Sequence, residues 1–295
     1  KLLALEEGHA PFELDPHTLE SVGPHRYGGK LKGPMTAHPK IDPENGEMLF
    51  FGYNANGTIS EHMTFSVVDK DGNLLRSESF AAPYAAMVHD FIVTRDHVIF
   101  PIMPLTGSLE RAFEGGPVYA WEPDKGSRIG IMPRHGSVQD LQWFYGEASY
   151  VFHPMNAHTT DDGKIVCDVC EYPEAPLFPG VDGKPGDPKK ALAKLARWTF
   201  DLNAQTDRYQ VEQLHDLVCE FPRIDERRAG LPYRFGYIAG DTQPAAKVGG
   251  FNIIAAVDHH KRKLSSYDLG EGCATSEPIF VPRRVDAEEG DGFLL

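Results

Sequence analysis

The 295-residue sequence has no apolar run near the roughly 18–20 residues that a membrane-spanning helix requires. No basic segment followed by an apolar stretch opens it, so no secretory leader is legible. Cationic residues are in deficit: 29 Lys and Arg stand against 43 Asp and Glu, a formal charge of −14. A nucleic-acid partner needs a cationic face, and this balance argues against one. Membrane contact is not indicated either. The G-x-S-x-G elbow, the phosphate-binding loop and the G-x-G-x-x-G fingerprint are all absent.

Cysteine is scarce, with Cys167, Cys170, Cys219 and Cys273 the full set. Cys167 and Cys170 form a C-x-x-C inside the strand-like run Lys164 to Tyr172. Residues i and i+3 of a strand face opposite sides, so their sulfurs diverge, and no second C-x-x-C completes a zinc site. The expectation is reduced, mostly buried thiols in a cytoplasmic protein.

Helix signals are nearly missing too. Lys189 to Arg197, with Pro188 at its first turn, is the one segment that reads as helical. Short runs of β-branched and aromatic residues dominate instead. They are Met48 to Tyr53, Met63 to Val68, Asp90 to Thr94, His97 to Ile102, Ser149 to Phe152, Lys164 to Cys170, Leu195 to Leu202, Val211 to Leu217, Asn252 to Val257 and Pro278 to Val281. Turn signals such as Asp42-Pro-Glu-Asn-Gly46, Asp69-Lys-Asp-Gly72 and Asp161-Asp-Gly163 separate them. Hairpins without helical alternation predict an all-β fold, and their continuation over the whole chain favours a propeller. The Pro/Gly/Asp-rich stretch within 177–190 reads as a loop insertion in a single domain spanning 1–295.

Three histidines stand in strand-like contexts: Thr36-Ala37-His38-Pro39-Lys40, Met87-Val88-His89-Asp90-Phe91 and Val151-Phe152-His153-Pro154-Met155. They are 51 and 64 residues apart, a spacing that no local zinc motif uses. Imidazole is the commonest protein ligand for iron, copper and zinc, so the pattern points to a non-haem metal centre built by the whole fold. The other ten histidines lack this setting. His158, five residues beyond His153, falls on the other strand face; His9, His17, His25, His62, His97, His135 and His215 read as surface or turn residues; His259 and His260 read as a solvated turn beside Lys261.

Five motifs in order carry a family resemblance: Thr36 to Pro43, His89-Asp90-Phe91, Phe152 to Ala157, Glu220-Phe221-Pro222-Arg223-Ile224-Asp225 and Ser276-Glu277-Pro278-Ile279-Phe280-Val281-Pro282-Arg283. The chain resembles the carotenoid cleavage oxygenases, which include apocarotenoid, stilbene and lignostilbene dioxygenases. The resemblance implies a seven-bladed β-propeller with one Fe(II) on its axis, held by four His. It makes His38, His89 and His153 three of the ligands. The fourth is expected outside this sequence, because no Phe-His-Gly segment follows Glu277. Lys1 at the start and a strand-like end at Leu295 read as the limits of an incomplete, N- and C-terminally truncated propeller.

The resemblance also assigns Glu7, Glu220 and Glu277 to the carboxylates behind the imidazoles. It pairs Glu7 with His89 and Glu220 with His153, and leaves Glu277 for the missing ligand. The implied partners are a hydrophobic alkene and O2, and the implied reaction cleaves a conjugated C=C bond to two carbonyl products. Glu6 stands where lignostilbene-cleaving relatives carry Lys, which leans the substrate towards apocarotenoids or another alkene. The alternatives are a non-catalytic or truncated propeller, or a family isomerase that does not use O2.

Overall fold

The computed structural model describes residues 1–243 and 250–295. Three antiparallel sheets follow one another along the chain, each beginning beside one of the three histidines. His38 immediately precedes the sheet of Lys40–Ile41, Met48–Gly52, His62–Val68 and Leu74–Ala81. His89 precedes Ile92–Val93, the edge of a sheet continued by His97–Ile102, Ser127–Pro133 and Gln142–Gly146. His153 lies within Tyr150–Thr159, which opens a seven-stranded sheet running on through Ile165–Tyr172, Lys194–Phe200, Gln210–Ile224, Phe235–Asp241, Ile253–Asp258 and Lys263–Asp268. A three-stranded sheet over Leu2–Ala4, Phe12–Leu14 and Ser21–Pro24 brings Glu7 alongside.

The turns form for the reason their sequences suggest. Asp69 Oδ1 accepts the backbone N–H of Asp71 and of Asn73, and Gly72 takes a φ of +86° that a residue with a side chain resists. Strand packing then builds two main cores. Phe51, Phe65, Phe91 and Phe100 fill one, and Tyr150, Trp198 and Phe200 anchor the other; all seven are at most 1% exposed. Close approach of backbone demands glycine at Gly52, in the second strand of the His38 sheet, where a Cβ would sit 2.3 Å from Pro34 O.

Every expected strand run carries strand; His97 to Ile102 keeps its limits and the others shift. Asp90 to Thr94 shrinks to Ile92–Val93, whereas Ser149 to Phe152 extends to Thr159 and Val211 to Leu217 extends to Ile224. The expected helix over Lys189 to Arg197 does not form; residues 188–190 make a turn and Lys194–Phe200 is an interior strand. Its Lys- and Ala-rich sequence has helical propensity, but pairing on both edges and complete burial of Leu195, Trp198 and Phe200 override it. The single α-helix among the described residues is Leu109–Phe113. None of these residues forms a helix long and apolar enough to cross a membrane.

Candidate metal centre

Local structure aims each histidine. His38 sits in a bend whose N–H is held by Thr36 Oγ1 at 3.0 Å, while Thr36 N–H donates to Phe51 O at 2.7 Å. Asp90, beside His89, is buried and receives Lys40 Nζ at 2.7 Å, which ties the His38 and His89 segments together. His153 falls at a register shift between Val151 and Pro154, where the strand bends and redirects its side chain.

The three imidazoles meet. His38 Nε2 lies 3.0 Å from His89 Nε2, which lies 3.2 Å from His153 Nε2. Behind them, Glu7 Oε2 stands 3.1 Å from His89 Nδ1 and Glu220 Oε2 stands 2.7 Å from His153 Nδ1. A carboxylate there holds the ring proton on Nδ1 and leaves the Nε2 lone pair facing inward. Lone pairs of His89 and His153 at 3.2 Å cannot hydrogen-bond to each other, but a cation could accept both. Three neutral nitrogens with this spacing fit a divalent transition metal.

The electrostatics agree with neutral donors in part. Burial pulls the His38 imidazole down to about 4, with Asp90 opposing. Burial, the largest single effect, acts to lower His153, but the hydrogen bond to Glu220 together with the charges of Glu220, Asp90 and Glu277 leaves it raised. The raised value reflects the same anionic clamp that would favour a cation at Nε2.

Glu277 lines a small cavity of about 310 Å³ with His38, His153, Lys40 and Asp90, yet makes no hydrogen bond to any of the three imidazoles. On the other side of the histidines lies a chamber of about 780 Å³, lined by Met87, His89, Phe152, His153, Phe221 and Phe251 among others. His158 stays outside the cluster, with its ring against Tyr233.

Some functional neighbours were not legible in the sequence. Tyr172 donates its hydroxyl to Glu220 Oε1 at 3.1 Å, completing a Tyr172–Glu220–His153 chain. Phe221 adopts a φ of +53°, rare for a bulky residue; its N–H donates to Glu220 Oε2 and its ring lies 5.3 Å from His153. Apolar patterning marks both as core, and only tertiary contact reveals their roles. His259 is a correction: rather than lying in a solvated turn, its side chain is buried, with the ring against Tyr233 and Nδ1 3.4 Å from the Arg197 guanidinium. Arg197 in turn clamps buried Asp168, whose Oδ2 lies 3.7 Å from His259 Nδ1. Cys170 and Cys219, from separate strands, bring their free thiols to 3.9 Å, while Cys273 is exposed.

Residues 1–295 match the family described as retinal pigment epithelial membrane protein. The chain is 42% identical to an isoeugenol monooxygenase of Pseudomonas putida, covering all of this chain and 63% of that protein. It is 35% identical to lignostilbene-α,β-dioxygenase isozyme III of Sphingomonas paucimobilis, again over all of this chain and 63% of the relative. A crystal structure of Pseudomonas brassicacearum lignostilbene dioxygenase superposes with a TM-score of 0.92 at 36% identity, covering 99% of this chain and 63% of that one. A Synechocystis apocarotenoid oxygenase structure gives 0.85 at 29% identity, covering 99% and 62%. The chain thus spans somewhat under two thirds of the proteins it matches. A family model covering every residue, together with identities of this size, places the chain in the retinal pigment epithelial membrane protein family, that of the carotenoid oxygenases.

Proposed function

We propose that this chain carries most of the metal centre of a non-haem iron(II) oxygenase that cleaves the C=C bond of an aryl-conjugated alkene with O2, giving two carbonyl products. The observation that carries the reading is the inward convergence of three Nε2 atoms, two of them on rings clamped at Nδ1 by Glu7 and Glu220. Iron(II) held by His38, His89 and His153 would supply the O2 activation that cleavage of the alkene needs. Glu7 and Glu220 hold the Nδ1 protons, which keeps the donors neutral and their ring angles set. Tyr172 and the Phe221 N–H hold the Glu220 carboxylate in turn.

Phe152, Tyr172, Phe221 and Phe251 line the chamber and would lay a planar, conjugated substrate beside His89 and His153. A fourth imidazole is proposed to come from residues outside these 295, with Glu277 as its carboxylate partner. In that setting the chain forms part of one seven-bladed propeller domain, and 177–190 is an insertion near the chamber. Identities of 42% and 40% to isoeugenol monooxygenases, against 32% to a plant carotenoid 9,10-cleavage dioxygenase, support a small arylalkene over an apocarotenoid. Glu6 in the place of Lys is compatible with that choice, since isoeugenol is not a stilbene.

The test is to load the protein with iron and present isoeugenol, a hydroxystilbene and an apocarotenal under O2. An aromatic aldehyde and a small aldehyde from isoeugenol, in proportion to O2 consumed, are expected. Geometric isomerisation of the alkene without O2 uptake, or protein that retains no iron, would overturn the reading.

A further inference from the structure

Seven residues other than glycine hold a positive φ among the described residues, and two of them, Phe221 and Leu177, line the histidine chamber. Phe221 is accounted for by its N–H on Glu220. Nothing in the metal centre uses Leu177.

The local sequence makes Leu177 unusual. Pro176 and Leu177 form a turn, and Leu177 takes a φ of +69°. A turn with Pro at its first central position and positive φ at its second calls for Gly or Asn at the second. A leucine there is strained, because its Cβ crowds the backbone in the left-handed region. Both flanks are anchored, so the strain is held in place. Ala175 is 4% exposed, Phe178 packs against the larger core, and Pro179 O accepts Trp121 N–H at 2.8 Å. Burial of the side chain does not offset the strain, since Leu177 is 78% exposed. Glycine at this position would relieve the backbone and lose little packing. A large apolar side chain that breaks the turn rule without serving the core points to a contact outside the fold's own packing. The chamber supplies that contact, because Leu177 shares its lining with Met87, Phe152, Phe221, His89 and His153.

We infer that Leu177 is a specificity-determining residue of the chamber, an apolar finger that packs on the bound aryl alkene. The inference rests on the reading of the chamber as the substrate site. Binding takes the isobutyl group out of water, which favours ligands that present apolar aryl or alkenyl surface. The anchored turn sets the position of the finger in advance, so little freedom is lost when the ligand arrives.

The experiment titrates 4-propylguaiacol calorimetrically into the full protein. This is the saturated counterpart of isoeugenol and has no C=C bond to cleave, so binding is read apart from turnover. Leu177→Ala and Leu177→Gly are each expected to weaken it about five- to tenfold, the loss of part of one buried aliphatic side chain. Leu177→Met, of nearly equal volume, is expected to stay within about twofold of wild type. Leu177→Gly is expected to show a higher urea midpoint than Leu177→Ala, because glycine accepts the positive φ without strain. Weaker binding in the more stable of these two variants separates a lost ligand contact from a loosened fold. Wild-type protein that does not bind the probe, unchanged affinity in Leu177→Ala and Leu177→Gly, or an equal loss in Leu177→Met overturns the inference. The expected losses in a protein that cleaves no alkene would sink the proposed function and leave the Leu177 contact standing.

Discussion

Replacing Glu220 with Gln tests the centre at its most connected point. Glu220 is 4% exposed, so its carboxylate is removed from water and relies on three donors: His153 Nδ1 at 2.7 Å, the Phe221 N–H at 2.5 Å and the Tyr172 hydroxyl at 3.1 Å. Glutamine keeps the shape and one acceptor oxygen but loses the charge. If the amide oxygen stays with His153 and Phe221, its NH2 faces Tyr172, whose hydroxyl can rotate to accept. The fold therefore survives, and the loss falls on the His153 bond. A hydrogen bond to a charged acceptor is worth about 1.5–3 kcal/mol and a neutral one about 1, so the expected cost is about 1–2 kcal/mol. That corresponds to metal affinity roughly 5- to 30-fold weaker, overlapping the roughly 10- to 100-fold typical of carboxylates behind metal-bound imidazoles. Titration with Co(II) or Fe(II) against a chelator reads this directly, with circular dichroism to confirm the fold. Affinity within about twofold of wild type would refute the idea that Glu220 strengthens His153 as a donor.

Removing the Tyr172 hydroxyl (Tyr172→Phe) should leave the fold intact and weaken metal binding by a smaller factor, about three- to tenfold, because Glu220 Oε1 loses its donor; equal affinity by chelator competition would show that the contact is only structural. His38→Ala, His89→Ala and His153→Ala should each abolish metal retention through gel filtration, and retention by any one of them removes that residue from the centre. Burial lowers the imidazoles of His38, His97, His158, His215 and His259, while only His153 is raised. Below about pH 6.5 the unfolded chain therefore binds more protons than the folded one. The metal-free protein should lose stability from pH 6.5 downward, by at most about 1.4 kcal/mol per pH unit per proton. A urea midpoint at pH 5.5 equal to or above that at pH 7.5 would contradict this balance.

The site was legible where chemistry is carried by rare residue types in recurring motifs. The motifs mark His38, His89 and His153, with Glu7 and Glu220 behind them, and the structure brings these five side chains together. Glu277 was assigned in the same way, and it lies near the cluster without bonding to it. Tyr172 and Phe221 were illegible because tyrosine and phenylalanine in a β-protein are core residues by default. Nothing local signals that one hydroxyl will meet a carboxylate, or that one backbone will be held at positive φ. His259 was misjudged for a related reason. Its neighbours Lys261 and Arg262 look solvated, but the Asp168–Arg197 pair lies far away in sequence and cannot be seen from the turn.

Alternating apolar residues and Asp/Gly turns by themselves determined that this chain would be built of antiparallel hairpins, because a period of two buries one face of a pleated strand and not of a helix. The motifs around His38, His89 and His153 mark these three as candidate donors, since imidazole is the residue type best suited to bind a transition metal at neutral pH. Only the tertiary structure decided that Lys189 to Arg197 would be turn and strand, because its helical propensity is small beside pairing on two edges and the burial of Trp198. Only the tertiary structure brought nitrogens 51 and 64 residues apart to 3.0 and 3.2 Å. Convergence of that kind comes from how successive sheets pack around a common centre, and no segment of the chain encodes it alone.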